Sequence, residues 1–316
     1  MNNPSQPPTL SVVMPTYQCR ELMERHITAM AAWIDLAHEI IVVDSRSSDG
    51  TLDYIREKLR HPKLRIIERD RGLYESWNEG LAATDGRWIY ISTAGDTITR
   101  GQLLLMLHRG GATQADVVIS PSDYVDESGR PAPGARKRPR IYAEFAEQGD
   151  VLLAPPAVRH FAFKSAGTHA LLGSLASDLF RGDFLRSRPF PEDYGTHGDT
   201  AWLLRHAYEI RLCVLQTTGS TFCLHAPKSS ESKEALRGVL DRMHAQEIRA
   251  GGLTPVLASS IQLRAQMSQR SKAWSGWMGT LKWAAANLRY LEARRRHGRL
   301  EAEERRALDR LISRIA

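Results

Sequence analysis

The sequence predicts an α/β fold in which a mainly parallel sheet is flanked by helices. Two observations carry this. Short apolar, β-branched runs recur along the first 120 residues, at 10–14, 39–43, 64–67, 88–92 and 117–120. Between most of them lie stretches whose apolar residues repeat at helical spacing, the alternation that builds βαβ units.

The elements follow in order. LSVVM (10–14) reads as a buried strand leaving the sheet at Pro15. Met23, Ile27, Met30 and Ile34 then fall on one side of a helix. EIIVV (39–43) is a second buried strand ending at Asp44. In the SSDGT turn after it, Asp49 or Thr51 is suited to cap the helix bearing Leu52, Ile55 and Leu59. A third strand at 64–67 leads into Asp70-Arg71-Gly72, and a helix follows before the strand at 88–92, beyond which stands Asp96. Residues 128–140 (SGRPAPGARKRPR) read as a mobile basic loop. Order returns over 180–206, where Asp199 precedes or opens a helix; by position alone it is as well suited to capping as to chemistry.

Composition narrows the function classes. With 42% hydrophobic and 25% charged residues, the 316-residue chain has the make-up of an ordinary globular protein. No apolar run approaches the ~20 residues a spanning helix needs. The opening MNNPSQPPTL is polar and lacks an apolar h-region, and Cys19, Cys213 and Cys223 have no metal-ligand spacing. Both point to a cytoplasmic protein with reduced thiols. Residues 271–316 hold eleven Lys and Arg against five Asp and Glu, so most of the net +7 belongs to the tail. A nucleic-acid partner is therefore not expected, since such proteins spread basic charge over a core face. The first strand is followed by PTYQCR rather than G-x-G-x-x-G, and no G-x-x-x-x-G-K-[ST] occurs, so neither a dinucleotide oxidoreductase nor a P-loop NTPase is supported.

Four segments in sequence order share one likeness: SVVMPTYQ, IIVVDSRSSDGT, DRGLYESWNEGLAATDGRWIYISTAGDTI and PFPEDYGTHGDTAWLLR. Together they resemble family-two glycosyltransferases of the GT-A fold, in the subgroup whose D-x-D motif takes an N/T-A-G-D form. The likeness covers roughly the first 225 residues. It implies a Rossmann-like nucleotide-binding core at 9–226; outside it, the polar, proline-rich start reads as a disordered leader at 1–8, and the helix-favouring sequence from about Pro227 as a helical C-terminal extension at 227–316.

The resemblance also implies an inverting transfer of sugar from a UDP- or GDP-sugar to a hydroxyl of a saccharide or lipid-linked saccharide, in surface polysaccharide or glycolipid assembly. Asp96 aligns with the last Asp of D-x-D and is the expected ligand of a divalent cation, Mn²⁺ or Mg²⁺, which would stabilise the departing diphosphate. A single carboxylate is acceptable, because Mg²⁺ often takes one or two and keeps several waters. His225 is a further ligand candidate, with a structural role as its alternative. Asp199 matches the general base that takes the acceptor proton; Glu192 and Asp193 are nearby competitors. Pro15, Thr16, Tyr17, Asp44, Ser45, Asp70, Arg71, Gly72, Asn78 and Gly95 match donor-contacting positions. For these the plain alternative is a turn or capping residue satisfying backbone amides.

Two departures from the family pattern bear on activity. Ser45 stands where many relatives have a second acid, which leaves the donor base open. Ala94 stands at the first Asp of D-x-D, which weakens metal affinity and admits a metal-independent or non-catalytic nucleotide-sugar binder. In the tail, Trp274, Trp277, Met278 and Leu281 lie among Lys272, Lys282, Arg289 and the arginines at 294–296. This pattern suits an interfacial helix on an anionic inner membrane face as well as a helix packed on the core. A third reading makes that basic tail itself the binding module, for membrane or nucleic acid.

Overall fold

The first β-branched run becomes β1 (Leu10–Thr16), followed by the amphipathic α1 (Arg20–Met30). The computed structural model describes residues 9–132, 138–165, 171–224 and 312–314, with 292, 295, 296, 298, 299, 302 and 306. The expected leader at 1–8, His225 and most of the 227–316 extension lie outside the described residues. Chain alternation continues through β2 (Ala37–Asp44), α2 (Thr51–Lys58), β3 (Leu64–Glu68), α3 (Leu73–Ala82) and β4 (Trp88–Ile91). β1 pairs in parallel with both β2 and β4, and β2 with β3.

β1 runs through Pro15 rather than stopping before it. Its pairing with β4 ends at Val13–Ile91, whereas its pairing with β2 reaches Thr16–Asp44. Val13 accepts from Ser92 on the β4 side, so Pro15, two residues on, turns its missing N–H to the side where no partner strand remains. The helix α3 lies close on this half of the sheet. A Cβ on Gly80 would stand 2.5 Å from Val13 Cγ1 and 3.0 Å from Val43 Cγ2.

The second half comprises β5 (Thr97–Ile98), α4 (Arg100–Thr113), β6 (Val117–Ile119), β7 (Ser122–Val125), α5 (Arg140–Glu144), β8 (Val151–Leu153) and α6 (Pro155–Ser165). It continues with β9 (Asp178–Arg181), α7 (Gly182–Arg186), α8 (Gly198–His206), β10 (Leu212–Val214), β11 (Ser220–Cys223) and β12 (Ile312–Arg314). The large sheet has the order β12-β8-β10-β6-β9-β4-β1-β2-β3, and β5-β11-β7 form a small second sheet.

The expectation of a mainly parallel sheet holds for β3-β2-β1-β4 and for β6-β10. It needs correction elsewhere: β9 lies antiparallel between β4 and β6, and β8 and β12 are antiparallel at the far edge. Alternating strands and helices betray parallel crossovers, but β9 returns after a long excursion and its direction is set by what it packs on. Near the end, residues 302 and 306 are helical, and β12 joins the sheet edge by pairing with β8.

Two apolar layers sandwich the sheet. One joins α1, α2 and α4 through Met23, Met30, Ile55 and Met106. The other joins α3, α5, α6 and α8 through Trp77, Tyr142, Phe161, Phe190 and Trp202. Because successive strand residues face opposite layers, each strand end delivers its last side chains to a known side.

Candidate functional site

The carboxyl ends of β1, β2 and β4 form one edge, where ligands bind in open α/β sheets. Just past β4, Gly95 takes φ +89°, a left-handed conformation suited to glycine, and turns the chain so that Asp96 is buried at 5% exposure. Its carboxylate is held from three sides. Oδ2 accepts from Thr93 Oγ1 at 2.6 Å and Ser174 Oγ at 2.9 Å, and Oδ1 accepts from the Cys223 amide at 2.7 Å. β11 supplies that amide because it pairs antiparallel with β5, the strand directly after Asp96.

Beneath this turn α1 presents two side chains that sequence reasoning missed. Arg25 Nη2 donates to the Gly95 carbonyl at 2.7 Å, and His26 Nδ1 lies 2.9 Å from the Asp96 carbonyl. A carbonyl only accepts, so Nδ1 carries the proton and Nε2 accepts from Ser92 Oγ at 3.1 Å. Complete burial pushes the His26 pKa down to about 4, with Arg25 adding to the fall, so the ring is neutral. The signal was present in the sequence: His26 is three residues beyond Met23 and four before Met30, on the apolar stripe.

Asp44 and Ser45 follow β2. Asp44 is fully buried; Oδ2 accepts from Thr16 Oγ1 and Ser47 Oγ, both at 2.8 Å, and Oδ1 from the Ser47 amide at 2.7 Å. It therefore staples the ends of β1 and β2. Ser45 is turned to Ser76 of α3, their hydroxyls 3.0 Å apart. Asp49 ties two helices together, accepting from the Arg20 amide of α1 and the Thr51 amide of α2.

Of the remaining donor candidates, Tyr17, Asp70 and Arg71 come together at the open side of the edge. Arg71 lies over the Tyr17 ring at 4.7 Å, and Asp70 pairs with Arg46 at 2.7 Å. Pro15 and Thr16 end β1, and Gly72 precedes α3. Asn78 does not face this pocket. Its amide donates to the Phe190 carbonyl at 2.8 Å and to Glu192 Oε1 at 3.0 Å, and its carbonyl accepts from the Phe190 amide at 2.8 Å. Both ends of the side chain are thus used to clamp the loop 190–192 onto α3.

That clamp leads to Asp199, in the first turn of α8. Gly198 packs so tightly that a Cβ there would meet the Pro191 carbonyl and the Tyr74 ring, each at 2.5 Å. Asp199 Oδ1 accepts from the Thr200 amide at 2.6 Å, and the Tyr74 hydroxyl, which donates to the Thr196 carbonyl at 3.2 Å, is a close neighbour. Its one-sided bond to the next residue is not the cap expected for an N-terminal residue, since His197 occupies that place. Protein atoms crowd the carboxyl although part of the residue reaches solvent. Burial raises its pKa, opposed by the Thr200 amide, Tyr74 and the charge of His197. Glu192 and Asp193 are exposed.

The fit of a divalent cation turns on Asp96. Thr93, Ser174 and the Cys223 amide fix this carboxylate in place, so it would give an ion a single oxygen at most. Among the described residues no cluster of three or more His, Cys, Asp or Glu side chains forms a cage. The donor set therefore fits a Mg²⁺- or Mn²⁺-type ion completed by phosphates and waters, not an all-protein site. A groove of about 420 Å³ at the opposite edge, lined by Asp116, Arg181, Arg188, Glu209 and Arg211, is neutralised internally: Arg181 pairs with Asp116 at 2.7 Å and Arg188 with Glu209.

Comparison with known proteins agrees with this fold. Residues 11–167 match the family profile described as Glycosyl transferase family 2. Over 134 residues the chain is 30% identical to the succinoglycan biosynthesis protein ExoO of Rhizobium meliloti. The match covers 41% of this chain and 38% of that protein, so it spans well under half of the relative's length. S. aureus TarS 1–349 in complex with UDP-GlcNAc superposes with a TM-score of 0.61 at 17% identity, over 90% of this chain and 81% of the other. The mannosyltransferase PcManGT from Pyrobaculum calidifontis, in complex with GDP-Man and Mn²⁺, gives 0.54 at 21% identity, over 95% and 87%. At such identities the structural likeness speaks for the fold. Among the described residues no helix is long and apolar enough to cross a membrane.

Proposed function

The chain belongs to glycosyl transferase family 2 through residues 11–167, and from that premise we propose that it moves a sugar from a nucleotide-sugar donor to a hydroxyl of a saccharide acceptor, with inversion, in polysaccharide assembly. One observation supports this above the rest. Two carboxyl groups near the carboxyl edge of one sheet are held in opposite ways, Asp96 by three hydrogen bonds and Asp199 by burial that raises its pKa.

Each suits a different task. Asp96 is an acceptor fixed in place, and it would hold a divalent cation against the donor's diphosphate. Such an ion, when bound, supplies Lewis-acid stabilisation of the charge that grows on the leaving group. The Arg25 and His26 contacts hold the Gly95 and Asp96 carbonyls, so the carboxylate keeps one orientation. Tyr17 and Arg71 offer a flat, exposed platform for the nucleoside. Asp199 accepts the proton of the attacking hydroxyl on its carboxylate; a base with a raised pKa holds that proton more readily. The Thr200 amide fixes its orientation. Direct displacement by the acceptor inverts the anomeric carbon. His225, outside the described residues, follows Leu224, which is bonded to Val125 beside the small sheet, and it is kept as a second metal-ligand candidate.

Ala94 favours one competing reading, a nucleotide-sugar binder without turnover. It is a partly buried residue packed on the core, in the place of the motif's first acid. The two readings separate in one experiment: calorimetric titration of UDP and GDP with and without Mn²⁺, followed by donor-turnover assays, on the parent, Asp96→Asn and Asp199→Asn. Transfer predicts metal-assisted binding of one nucleotide, weakened in Asp96→Asn, and turnover lost in Asp199→Asn with donor binding kept. A binder predicts no turnover in the parent. Metal-independent binding, unchanged in Asp96→Asn, would remove Asp96 from its role. Contact of the basic tail with an anionic membrane face, and a cytoplasmic place for the enzyme, belong to the same proposal.

A further inference from the structure

Asp178 is a buried acid that the reaction above does not use. It is fully buried, its Oδ2 has no hydrogen-bond partner, and Ser177 Oγ reaches Oδ1 only at 3.5 Å. Native structures leave few buried polar atoms unpaired, so each needs a reason.

Its place in the sheet suggests one. Asp178 opens β9 and lies opposite Ile119, the last residue of β6, so it stands at the same edge as the donor site. Strand alternation puts its side chain on the face of Phe180, and Phe180 packs on Trp202 of α8 with ring centroids 5.7 Å apart. Asp199 begins that helix on the same face, near enough for its charge to act on Asp178. No hydrogen bond joins the two carboxyls among the described residues. The Tyr142 hydroxyl of α5, in a residue 6% exposed on this face, also lacks a partner, and Asp178 is its main acidic neighbour.

We propose that Asp178 and Tyr142 form a hydroxyl-binding subsite beside Asp199, which takes a hydroxyl of the acceptor saccharide next to the one that attacks. This rests on the glycosyl-transfer reading. The chemistry of the pair narrows the ligand. Burial, reinforced by Asp199, pushes the Asp178 pKa well above the usual carboxylate range, which favours its protonated, donating form. A neutral acid and a phenol offer no charge to a cation, and no metal-binding cluster forms among the described residues. Ionised Asp199 alongside repels an anion. A sugar hydroxyl, which both donates and accepts, satisfies both orphan groups. Asp199 is partly exposed and Asp178 buried on the same face of the sheet, so the subsite would be the inner end of the acceptor position.

The test compares the parent with Asp178→Leu, Tyr142→Phe and Asp178→Asn. Nucleotide release from UDP-GlcNAc and GDP-mannose is followed with water alone and with methyl β-D-glucopyranoside or methyl β-D-galactopyranoside. The readout is the ratio of glycoside transfer to donor hydrolysis in one sample, which the folded fraction does not alter. Losing a neutral hydrogen bond predicts a glycoside KM raised about 2- to 10-fold in Tyr142→Phe, and at least as much in Asp178→Leu, with partition shifted towards water. Asp178→Asn keeps an N–H donor in place and restores the ratio. Transfer and hydrolysis falling together in every variant would reduce the pair to a structural role and overturn the proposal. So would an unchanged glycoside KM, as expected if a resident water satisfies both groups, or a parent that hydrolyses donor yet transfers to neither glycoside. A parent that binds and hydrolyses neither donor sinks the glycosyl-transfer reading first.

Discussion

Replacing His26 by Leu tests how the metal-side turn is held. The substitution nearly conserves volume and removes both ring nitrogens, leaving the buried Asp96 carbonyl and Ser92 hydroxyl without their partners. An unpaired buried group costs about 1–3 kcal/mol. The Ser92 hydroxyl can rotate and the Asp96 carbonyl cannot, so the expected loss at pH 7.5 is about 2–4 kcal/mol. The pH dependence sharpens the test. Folded His26 titrates at about 4, against 6.5 for the free group. As pH falls below 6.5 the unfolded chain binds a proton that the folded chain refuses, so the parent loses about 1.4 kcal/mol per pH unit down to the folded value. By pH 4.5 this amounts to roughly 2–3 kcal/mol. The Leu variant has no such group, so its deficit should shrink by that amount between pH 7.5 and 4.5. Urea unfolding followed by Trp fluorescence at pH 7.5, 5.5 and 4.5 measures it. A deficit that stays constant or widens on acidification would refute a buried neutral His26.

Asp199→Asn should lower turnover at least 100-fold while leaving nucleotide affinity in place, within the usual range of general-base effects of about 10²–10⁴; steady-state rates beside calorimetry decide this. In the parent, kcat/KM should fall on acidification with a midpoint above the ordinary carboxylate value of 3.8, because burial raises the Asp199 pKa and only its ionised form accepts the proton. Asp96→Asn keeps a single acceptor oxygen for three donors, so it should cost about 1–3 kcal/mol in urea unfolding as well as weakening Mn²⁺-assisted nucleotide binding. Gly80→Ala should cost about 1–3 kcal/mol without touching the site, because the new methyl meets Val13 and Val43 where α3 crosses the sheet. A neutral Gly80→Ala melt would show that α3 can shift outward.

Local pattern and tertiary arrangement divide the information unevenly. The strands at 10–16, 37–44, 64–68 and 88–91, the helices between them and the turn at Asp96 were legible because each is a local matter. β-branched runs, helical periodicity and Gly95 act over a few residues. Asp44 and Asn78 could not be assigned in the same way. Whether a carboxylate or amide faces a ligand depends on who else takes its lone pairs and protons. Asp44 spends its oxygens on Thr16 and Ser47, and Asn78 spends its amide on a loop more than a hundred residues away.

The sequence by itself determined the α/β alternation, the edge where Asp96 ends a strand, and Asp199 as a second acid at the start of a helix. Only the tertiary structure decided the antiparallel place of β9 and the neutral His26 beneath Asp96. The burial of Asp178 and Tyr142 without hydrogen-bond partners was likewise settled there. The reason is physical: propensity and periodicity are short-range, while strand direction, desolvation and the pairing of polar atoms are set by contacts between residues far apart in the chain.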